Sequence, residues 1–343
     1  MAEKAEVVFV DGVRTPFGRA GEKGMYWQTR ADDLVVKAMI GLLERNPNLP
    51  KDRVDDVAIA ATTQTGDQGL TLGRTAALLA GLPKSVPGFA IDRMCAGAMT
   101  SVTAIAGGIA FGAYDIGIAG GVEHMGRHPM GFGADPNPRF LSEKLVNPDA
   151  LNMGNTAERI HDRFPHLTKE RADRFALGSQ QKAWAAYENG KIQPDLVSVA
   201  IKSDAGWGLA TRDEALRPET TLEGLAALKT PFRPHGRVTA GNASGLNDGA
   251  TASLINAISA LPSDLIFKIS KYKRRCFVLG REAWIIEVII FNASSERFEC
   301  SKKIVTSLIV IPFSNNLSCR KHFVKISDCV RIFSNSVRKV KQV

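Results

Sequence analysis

Val86-Pro-Gly-Phe-Ala-Ile-Asp-Arg-Met-Cys-Ala-Gly-Ala-Met-Thr-Ser-Val102 is the stretch on which the reading of this chain turns. Phe89 to Arg93 reads as a short buried strand. From Ala96 onward small residues run into an apolar pattern, with Val102, Ile105, Ala106 and Ile109 at the three- and four-residue spacing of a helix. Cys95 therefore stands where a strand meets a helix. The first backbone N–H groups of a helix have no partner within it. Their partial positive charge favours thiolate over thiol. The same groups can hold an acyl oxygen once the sulfur is acylated. Cys95 is thus a candidate nucleophile, although a lone cysteine is more often a buried structural residue. The local sequence leaves both readings open.

Upstream, Glu6–Asp11 carries the apolar run Val-Val-Phe-Val and reads as a strand, with Gly12–Gly18 as the loop that leaves it. Leu34, Val35, Ala38, Met39 and Leu42 share one face of a helix over Ala31–Leu43. Val54–Ala60 is a second strand and Leu72–Leu79 a second helix. Beyond the Cys95 helix, Asp115–Ala119 is a further strand, and Gly120-Gly121 turns out of it. Strands alternating with helices predict an α/β fold around a largely parallel sheet.

From Val122 to Gly245 the pattern changes. The segment is rich in Met, His, Pro and Asn up to about residue 150. It then carries a helix over Asn155–Arg163 and another that starts at the N-cap Thr168 and stops at Asn189-Gly190. An excursion of this length is too long for a loop and predicts an inserted subdomain. It ends in Thr239-Ala-Gly-Asn-Ala-Ser-Gly-Leu-Asn-Asp-Gly-Ala-Thr-Ala-Ser253. Gly241, Gly245 and Gly249 permit close ligand approach there, and Asn242, Ser244, Asn247 and Asp248 supply short polar groups. The plain alternative is a polar turn before a helix that starts near Ala250.

The chain of 343 residues has a formal charge of +9, which invites a nucleic-acid or membrane reading. The charge is not evenly spread. Residues 256–343 hold 16 of the 44 Lys and Arg but only 6 of the 35 Asp and Glu, so residues 1–255 are close to neutral. Only Gly280 of the 31 glycines lies beyond residue 255, whereas four of the five cysteines do: Cys276, Cys300, Cys319 and Cys329. They form no CxxC pair and no His/Cys ligand spacing, so no metal site is expected. No recognised nucleic-acid motif accompanies the basic clusters. One cysteine in the first 255 residues fits a reducing, cytoplasmic compartment. The N-terminus carries neither a secretory nor a transit pattern. No stretch reaches the length of a membrane span, Ile304–Phe313 being the nearest.

Four stretches in order resemble the thiolase family. They are Val10-Asp-Gly-Val-Arg-Thr-Pro-Phe-Gly-Arg19, Arg93-Met-Cys-Ala-Gly97, Gly120-Gly-Val-Glu-His-Met-Gly126 and Thr239-Ala-Gly-Asn-Ala-Ser-Gly-Leu-Asn-Asp-Gly249. Glu44-Arg-Asn-Pro47 and Glu123-His-Met-Gly-Arg-His-Pro-Met130 are more similar to the 3-ketoacyl-CoA thiolases of fatty-acid β-oxidation than to the biosynthetic acetoacetyl-CoA enzymes. The resemblance implies a layered α/β fold of two similar halves, with a loop domain inserted in the first. Residues 1–121 plus 246–258 would be the first half, 122–245 the inserted loop domain on the CoA side, and 259–343 a basic, Gly-poor tail where the second half belongs.

The implied chemistry is CoA-dependent cleavage of a 3-ketoacyl-CoA. Cys95 would attack the keto carbonyl, acetyl-CoA would leave, and coenzyme A would take the acyl group from the sulfur. No cofactor is bound; coenzyme A is a co-substrate. By position, Ser244 aligns with a family serine at the pantetheine arm and Arg217 with an arginine near the adenine. Phe232 and Met153 align with apolar pantetheine contacts, and Ala240 belongs to the same CoA-binding set. Asn152 stands where biosynthetic members often have His, which agrees with the β-oxidation assignment. A homodimer or tetramer, and a hydratase/dehydrogenase subunit as partner, are implied by the family. His124 takes a structural role, because the family's base comes from the second half.

That second half should carry an Asn-Glu-Ala-Phe segment, a Gly-His-Pro segment and a Cys-x-Gly segment. None occurs in residues 256–343. His322 is the only histidine after His235, and none of the four late cysteines has Gly two residues on. The tail alternates basic clusters such as Lys271-Tyr-Lys-Arg-Arg275 with runs such as Trp284-Ile-Ile-Glu-Val-Ile-Ile290. It reads as an unrelated fused domain or a shifted reading frame, and the break inside one expected element favours the second. Turnover is expected to be impaired or absent, and the uncovered face of the Cys95 helix predicts association. A non-catalytic acyl-CoA-binding protein is the alternative. A decarboxylating condensing enzyme is disfavoured by the Thr239–Gly249 motif and the long insertion.

Overall fold

The computed structural model describes residues 6–204 and 206–260. Most of the expected tail, from residue 261 on, lies outside the described residues, as do Cys276, Cys300, Cys319, Cys329, His322 and Ile304–Phe313.

β1 (Val7–Arg14) runs into the short β2 (Gly18–Arg19). α1 (Ala31–Arg45), β3 (Asp56–Ala60), α2 (Leu72–Leu79) and β4 (Phe89–Ile91) follow. α3 (Gly97–Phe111) and β5 (Ile116–His124) complete the first run, and β8 (Asn247–Ala257) returns to the sheet at the end. The strands lie in the order β1-β8-β5-β3-β4, with β2 beside β8. β3 is parallel to both β4 and β5, whereas β8 is antiparallel to both β1 and β5. The sheet is therefore mixed rather than largely parallel. The cause is β8, which occupies the stretch expected to start a helix near Ala250. Ala250, Ala252 and Leu254 alternate onto one buried face, which is strand periodicity.

Two other boundaries shift. β1 continues to Arg14, so the expected loop after Asp11 is shorter. Gly120 and Gly121 do not turn out of β5; they lie within it. A side chain on Gly120 would sit 2.1 Å from the Thr251 carbonyl oxygen, and one on Gly121 would sit 3.0 Å from the Ala98 Cβ. These glycines let neighbours close on the strand.

One face of the sheet packs on α1 and α2. Leu34, Val35, Ala38, Met39 and Leu42 of α1 are fully buried against Val57, Ile59, Ile116, Ile118 and Leu254. Arg30 gives α1 no side-chain cap; the Asp67 carboxylate accepts the Ala31 N–H instead, at 3.2 Å. The other face packs on α3 through Ile105, Ala106 and Ile109 against Val7, Ala58, Ala119 and Ile255. Truncating a fully buried Ile such as Ile105 to Ala would cost about 2–5 kcal/mol. α3 ends at Gly112, whose φ of 85° lets Ala113 donate to the Gly108 carbonyl.

The outer side of α3 is open among the described residues: Met99 is 67% and Phe111 89% exposed. Met94–Phe111 is also long and apolar enough, by length and composition alone, to cross a membrane. This corrects the expectation that no stretch is. Its apolarity comes from Ala, Met and Ile around small residues, and one side of it is a core face of the sheet.

The chain leaves the sheet after His124 and returns at Asn247. Between them lie α4 (Arg139–Ser142), α5 (Met153–Arg163), α6 (Lys169–Glu188), the hairpin β6 (Val199–Ser203) and β7 (Gly206–Ala210), and α7 (Leu222–Ala226). Asn152 caps α5 through the Gly154 and Asn155 N–H groups, Thr168 caps α6 through Arg171, and Thr221 caps α7 through Gly224.

Candidate active site

β3, β4 and β5 are parallel and β8 is antiparallel to β5, so three strand ends and the start of β8 meet at one edge of the sheet. In open α/β sheets the carboxyl edge is where ligands bind. The turn with Cys95 follows β4, the Thr62–Gln68 segment follows β3, His124 ends β5, and the 239–246 loop leads into β8.

Cys95 is exposed, in a 3-10 turn over Met94–Ala96 that leads straight into α3. The expected strand before it is shorter and half-buried, ending at Ile91. Asp92 Oδ1 accepts the Met94 N–H at 3.1 Å. Met94 itself has φ of +48°. A non-glycine residue held there costs about 1–3 kcal/mol, and such strain gathers at functional turns. Nothing in the sequence marks Met94, because glycine, the usual sign of such a conformation, is absent. Gly97 allows the turn to sit down on β3: a Cβ there would lie 2.8 Å from the Ala60 Cβ.

A polar frame backs this edge. Glu123 Oε2 accepts the Thr62 N–H at 3.0 Å, and its Oε1 accepts from Gln68 Nε2 at 3.1 Å. Gln68 Oε1 accepts the His124 N–H at 2.8 Å. Asp67 is held by the His128 ring, by Ala31 N–H and by Arg127. Burial works against the Asp67 charge, but the His128 hydrogen bond, the Ala31 N–H and Arg127 outweigh it and hold the carboxyl below the ordinary aspartate range. His124 is fully buried with both ring nitrogens turned into the fold.

The expected CoA-side residues fall into three groups. Met153 opens α5 and is 64% exposed. The Phe232 ring lies against its neighbour Gly154, where a Cβ would come within 2.2 Å of Phe232 Cε1. Ala240 and Ser244 are exposed on the 239–246 loop, and Ser244 Oγ donates to the Gly245 carbonyl at 3.1 Å. Arg217 is exposed, with its backbone N–H on Gln180 Oε1 of α6 at 2.9 Å. Among the described residues no hydrogen bond or ion pair joins Cys95 to Ser244, Ala240, Arg217, Phe232 or Met153. The structure brings Phe232 to the start of α5, and brings Cys95 and the Ser244 loop to the same sheet edge. Among the described residues no group of His, Cys, Asp and Glu is arranged to hold a metal ion.

The segment before Arg217 is fixed to the first strand. Asp213 takes Arg14 in a two-point ion pair at 2.6 and 2.8 Å and accepts the Phe17 N–H at 2.8 Å. Glu214 Oε2 accepts from Arg19 and Met25 N–H groups. Phe17 in turn packs on Gly249, where a Cβ would meet its ring at 2.2 Å.

Residues 7–259 match the family model described as the thiolase N-terminal domain. The 3-ketoacyl-CoA thiolase of Aliivibrio fischeri (strain ATCC 700601 / ES114) is 41% identical over 251 residues, which are 73% of this chain and 64% of that protein. The β-ketoadipyl-CoA thiolase of Pseudomonas putida is 39% identical over 271 residues, covering 75% of this chain and 67% of the relative. Among solved structures, human mitochondrial 3-ketoacyl-CoA thiolase superposes with a TM-score of 0.66 at 30% identity, covering 75% of this chain and 67% of that one. Bacillus anthracis acetyl-CoA acetyltransferase superposes with a TM-score of 0.65 at 32% identity, covering 76% and 67%. The chain spans 64% of the length of the 3-ketoacyl-CoA thiolases it matches.

Proposed function

As the chain belongs to the thiolase family, we propose that it carries the nucleophile and the CoA-facing residues of a thiolase-type acyltransferase. The observation that carries this reading is the exposed Cys95 turn on the same sheet edge as the 239–246 loop. Its substrate is a 3-ketoacyl-CoA. The Cys95 thiolate adds to the 3-keto carbonyl carbon. The bond between C2 and C3 then breaks, its electron pair passes to the acetyl-CoA fragment, and that fragment takes a proton as it leaves. The acyl thioester on Sγ passes to the thiol of a second coenzyme A, which returns the cysteine. The reading needs backbone N–H groups near Cys95 to hold the carbonyl oxygen as it gains charge. Ser244, Ala240, Phe232, Met153 and Arg217 form the CoA side, with Phe232 and Met153 against the pantetheine arm.

Residues 256–343 hold no Gly-His-Pro segment to supply a base and no second Cys-x-Gly segment, beyond Cys95-Ala-Gly97, to move the proton. Losing a positioned base costs about 10²–10⁴-fold, so acylation of Cys95 and turnover by this chain alone are both slowed. The same absence supports the second reading, a non-catalytic acyl-CoA-binding protein. A cytoplasmic setting, a homodimer or tetramer and a hydratase/dehydrogenase partner belong to the proposal through the family resemblance.

The test incubates the purified chain with acetoacetyl-CoA and coenzyme A, then follows acetyl-CoA release and maps the adduct by peptide mass spectrometry. An acetyl group on the Cys95 peptide, absent in Cys95→Ser, is expected together with weak turnover. Near-normal turnover would refute the impairment. CoA binding without acylation of Cys95 would favour the binding protein.

A further inference from the structure

The 239–246 loop is held at both ends by buried polar groups, and only its first anchor is made of ordinary loop chemistry. Asn242 Oδ1 accepts the Thr239 N–H at 2.8 Å, and Asn242 Nδ2 donates to Asp173 Oδ1 and the Arg237 carbonyl. Ala243 to Leu246 are then exposed. The far anchor is Asp248, fully buried at the start of β8 and in register with the equally buried His124 at the end of β5.

The two side chains face each other. Asp248 Oδ2 lies 3.4 Å from His124 Nδ1 and, within the described structure, accepts no hydrogen bond. Asp248 Oδ1 accepts the Gly126 N–H at 2.9 Å. His124 Nδ1 accepts the Arg127 N–H at 3.1 Å, so its hydrogen is on Nε2, which donates to the Tyr26 carbonyl at 2.9 Å. In that tautomer Nδ1 and an ionised Oδ2 are two acceptors side by side with little exposure. A proton on Oδ2 relieves this by letting its O–H share the single Nδ1 lone pair with the Arg127 N–H. Burial pushes the Asp248 carboxyl above the ordinary aspartate range, against the pull of the Gly126 N–H, of His124 and of the Met125 N–H.

We propose that His124 and Asp248 are a positioning pair, and that their contact fixes residues 239–247 at the sheet edge so that Ser244 and Ala240 are presented to the pantetheine arm of a CoA thioester. The pair joins three segments at one point: the Tyr26 loop, the chain leaving β5 at Gly126 and Arg127, and the entry to β8. The CoA part of this proposal rests on the thiolase reading above; the positioning part does not.

The test measures hydrogen–deuterium exchange and CoA binding by calorimetry on the full chain, comparing the unsubstituted protein with Asp248→Ala and Asp248→Asn. Asp248→Ala leaves the Gly126 N–H without its acceptor, and a buried donor left unpaired corresponds to a roughly five- to hundredfold larger open population. Exchange is expected to rise in peptides covering 239–247, with CoA affinity falling in step, while α1, β3 and the alkylation rate of Cys95 stay unchanged. Asp248→Asn keeps an acceptor for Gly126 and offers an N–H to His124 Nδ1, so exchange and CoA affinity should return to within about threefold of the unsubstituted protein. Unchanged exchange in 239–247 would overturn the proposal. So would a rise shared by the whole sheet, which would make the pair a general stability element, or an Asn variant as impaired as the Ala variant. If the unsubstituted protein fails to bind CoA while the exchange pattern follows expectation, the CoA reading falls and the positioning role stands.

Discussion

Replacing Asp213 with Ala should destabilise the protein by about 2–4 kcal/mol. The substitution removes both points of the Arg14 ion pair, at 2.6 and 2.8 Å, and the acceptor of the Phe17 N–H. A charge-assisted hydrogen bond contributes about 1.5–3 kcal/mol and a neutral one about 0.5–1.5. Their sum is an upper bound, because the Arg14 side chain is 21% exposed and recovers some hydration. Asp213→Asn keeps one acceptor and should cost about 1–2 kcal/mol. The pair also has a pH signature. Burial works against the Asp213 charge, but the Arg14 hydrogen bond and the Phe17 N–H more than offset it, so its folded carboxyl titrates below the ordinary range. A carboxyl depressed in this way contributes fully above its unfolded value, about 3.9, and loses that contribution as pH falls through the folded value. The stability gap between the unsubstituted protein and Asp213→Asn should therefore be flat from about pH 7 to pH 5 and shrink below about pH 4. Urea unfolding followed by circular dichroism across that range reads both effects. A cost under about 0.5 kcal/mol for Asp213→Ala, the behaviour of a solvated surface pair, would refute the reasoning.

Three further outcomes are expected. Iodoacetamide should modify Cys95 in the folded chain, mapped by peptide, and Gly97→Ala should change that rate at least about twofold. Its new Cβ would stand 2.8 Å from the Ala60 Cβ, and such overpacking costs about 1–3 kcal/mol, offset only in part by the better helix propensity of Ala. His128→Ala should lower thermal stability by about 1–3 kcal/mol by leaving the buried Asp67 without its ring partner; an unchanged melting temperature would contradict this. Met99→Lys with Phe111→Lys should reduce concentration-dependent association in sedimentation velocity, since both residues lie on the open side of α3.

The helices were the most legible part of the sequence. The α1 stripe of Leu34, Val35, Ala38, Met39 and Leu42 is the stripe that is buried, and α2 keeps the limits its pattern set. The edge of the sheet was harder. Gly249-Ala-Thr-Ala reads equally as a helix start, because alanine favours helices and a small side chain gives a weak alternation signal. What decides for a strand is the pairing of β8 with β1 and β5, which no local window contains. Gly120-Gly121 was misread for a related reason. Glycine marks turns when nothing else is known, yet here it admits Thr251 and Ala98 to within contact of the strand. Cys95 was legible as the residue at a strand–helix junction. The φ of Met94 beside it was not, nor was the partner of Asp248, because register across the 123 residues of intervening chain decides both buried ends of that pair.

The place of β8 between β1 and β5 has a consequence in time. Val7 pairs with Ala257, so apart from a bridge from Arg14 to Leu196 the first strand made has no strand partner until the last described strand exists. At a synthesis rate of about 5–20 residues per second, β1 waits on the order of 12–50 seconds. During that interval its Val-Val-Phe-Val edge is a bare template for other chains. Closure across such a separation is also intrinsically slow. The rate of folding should therefore be governed by the arrival of β8, and a synthesis pause placed before residue 257 should raise aggregation more than one placed after it.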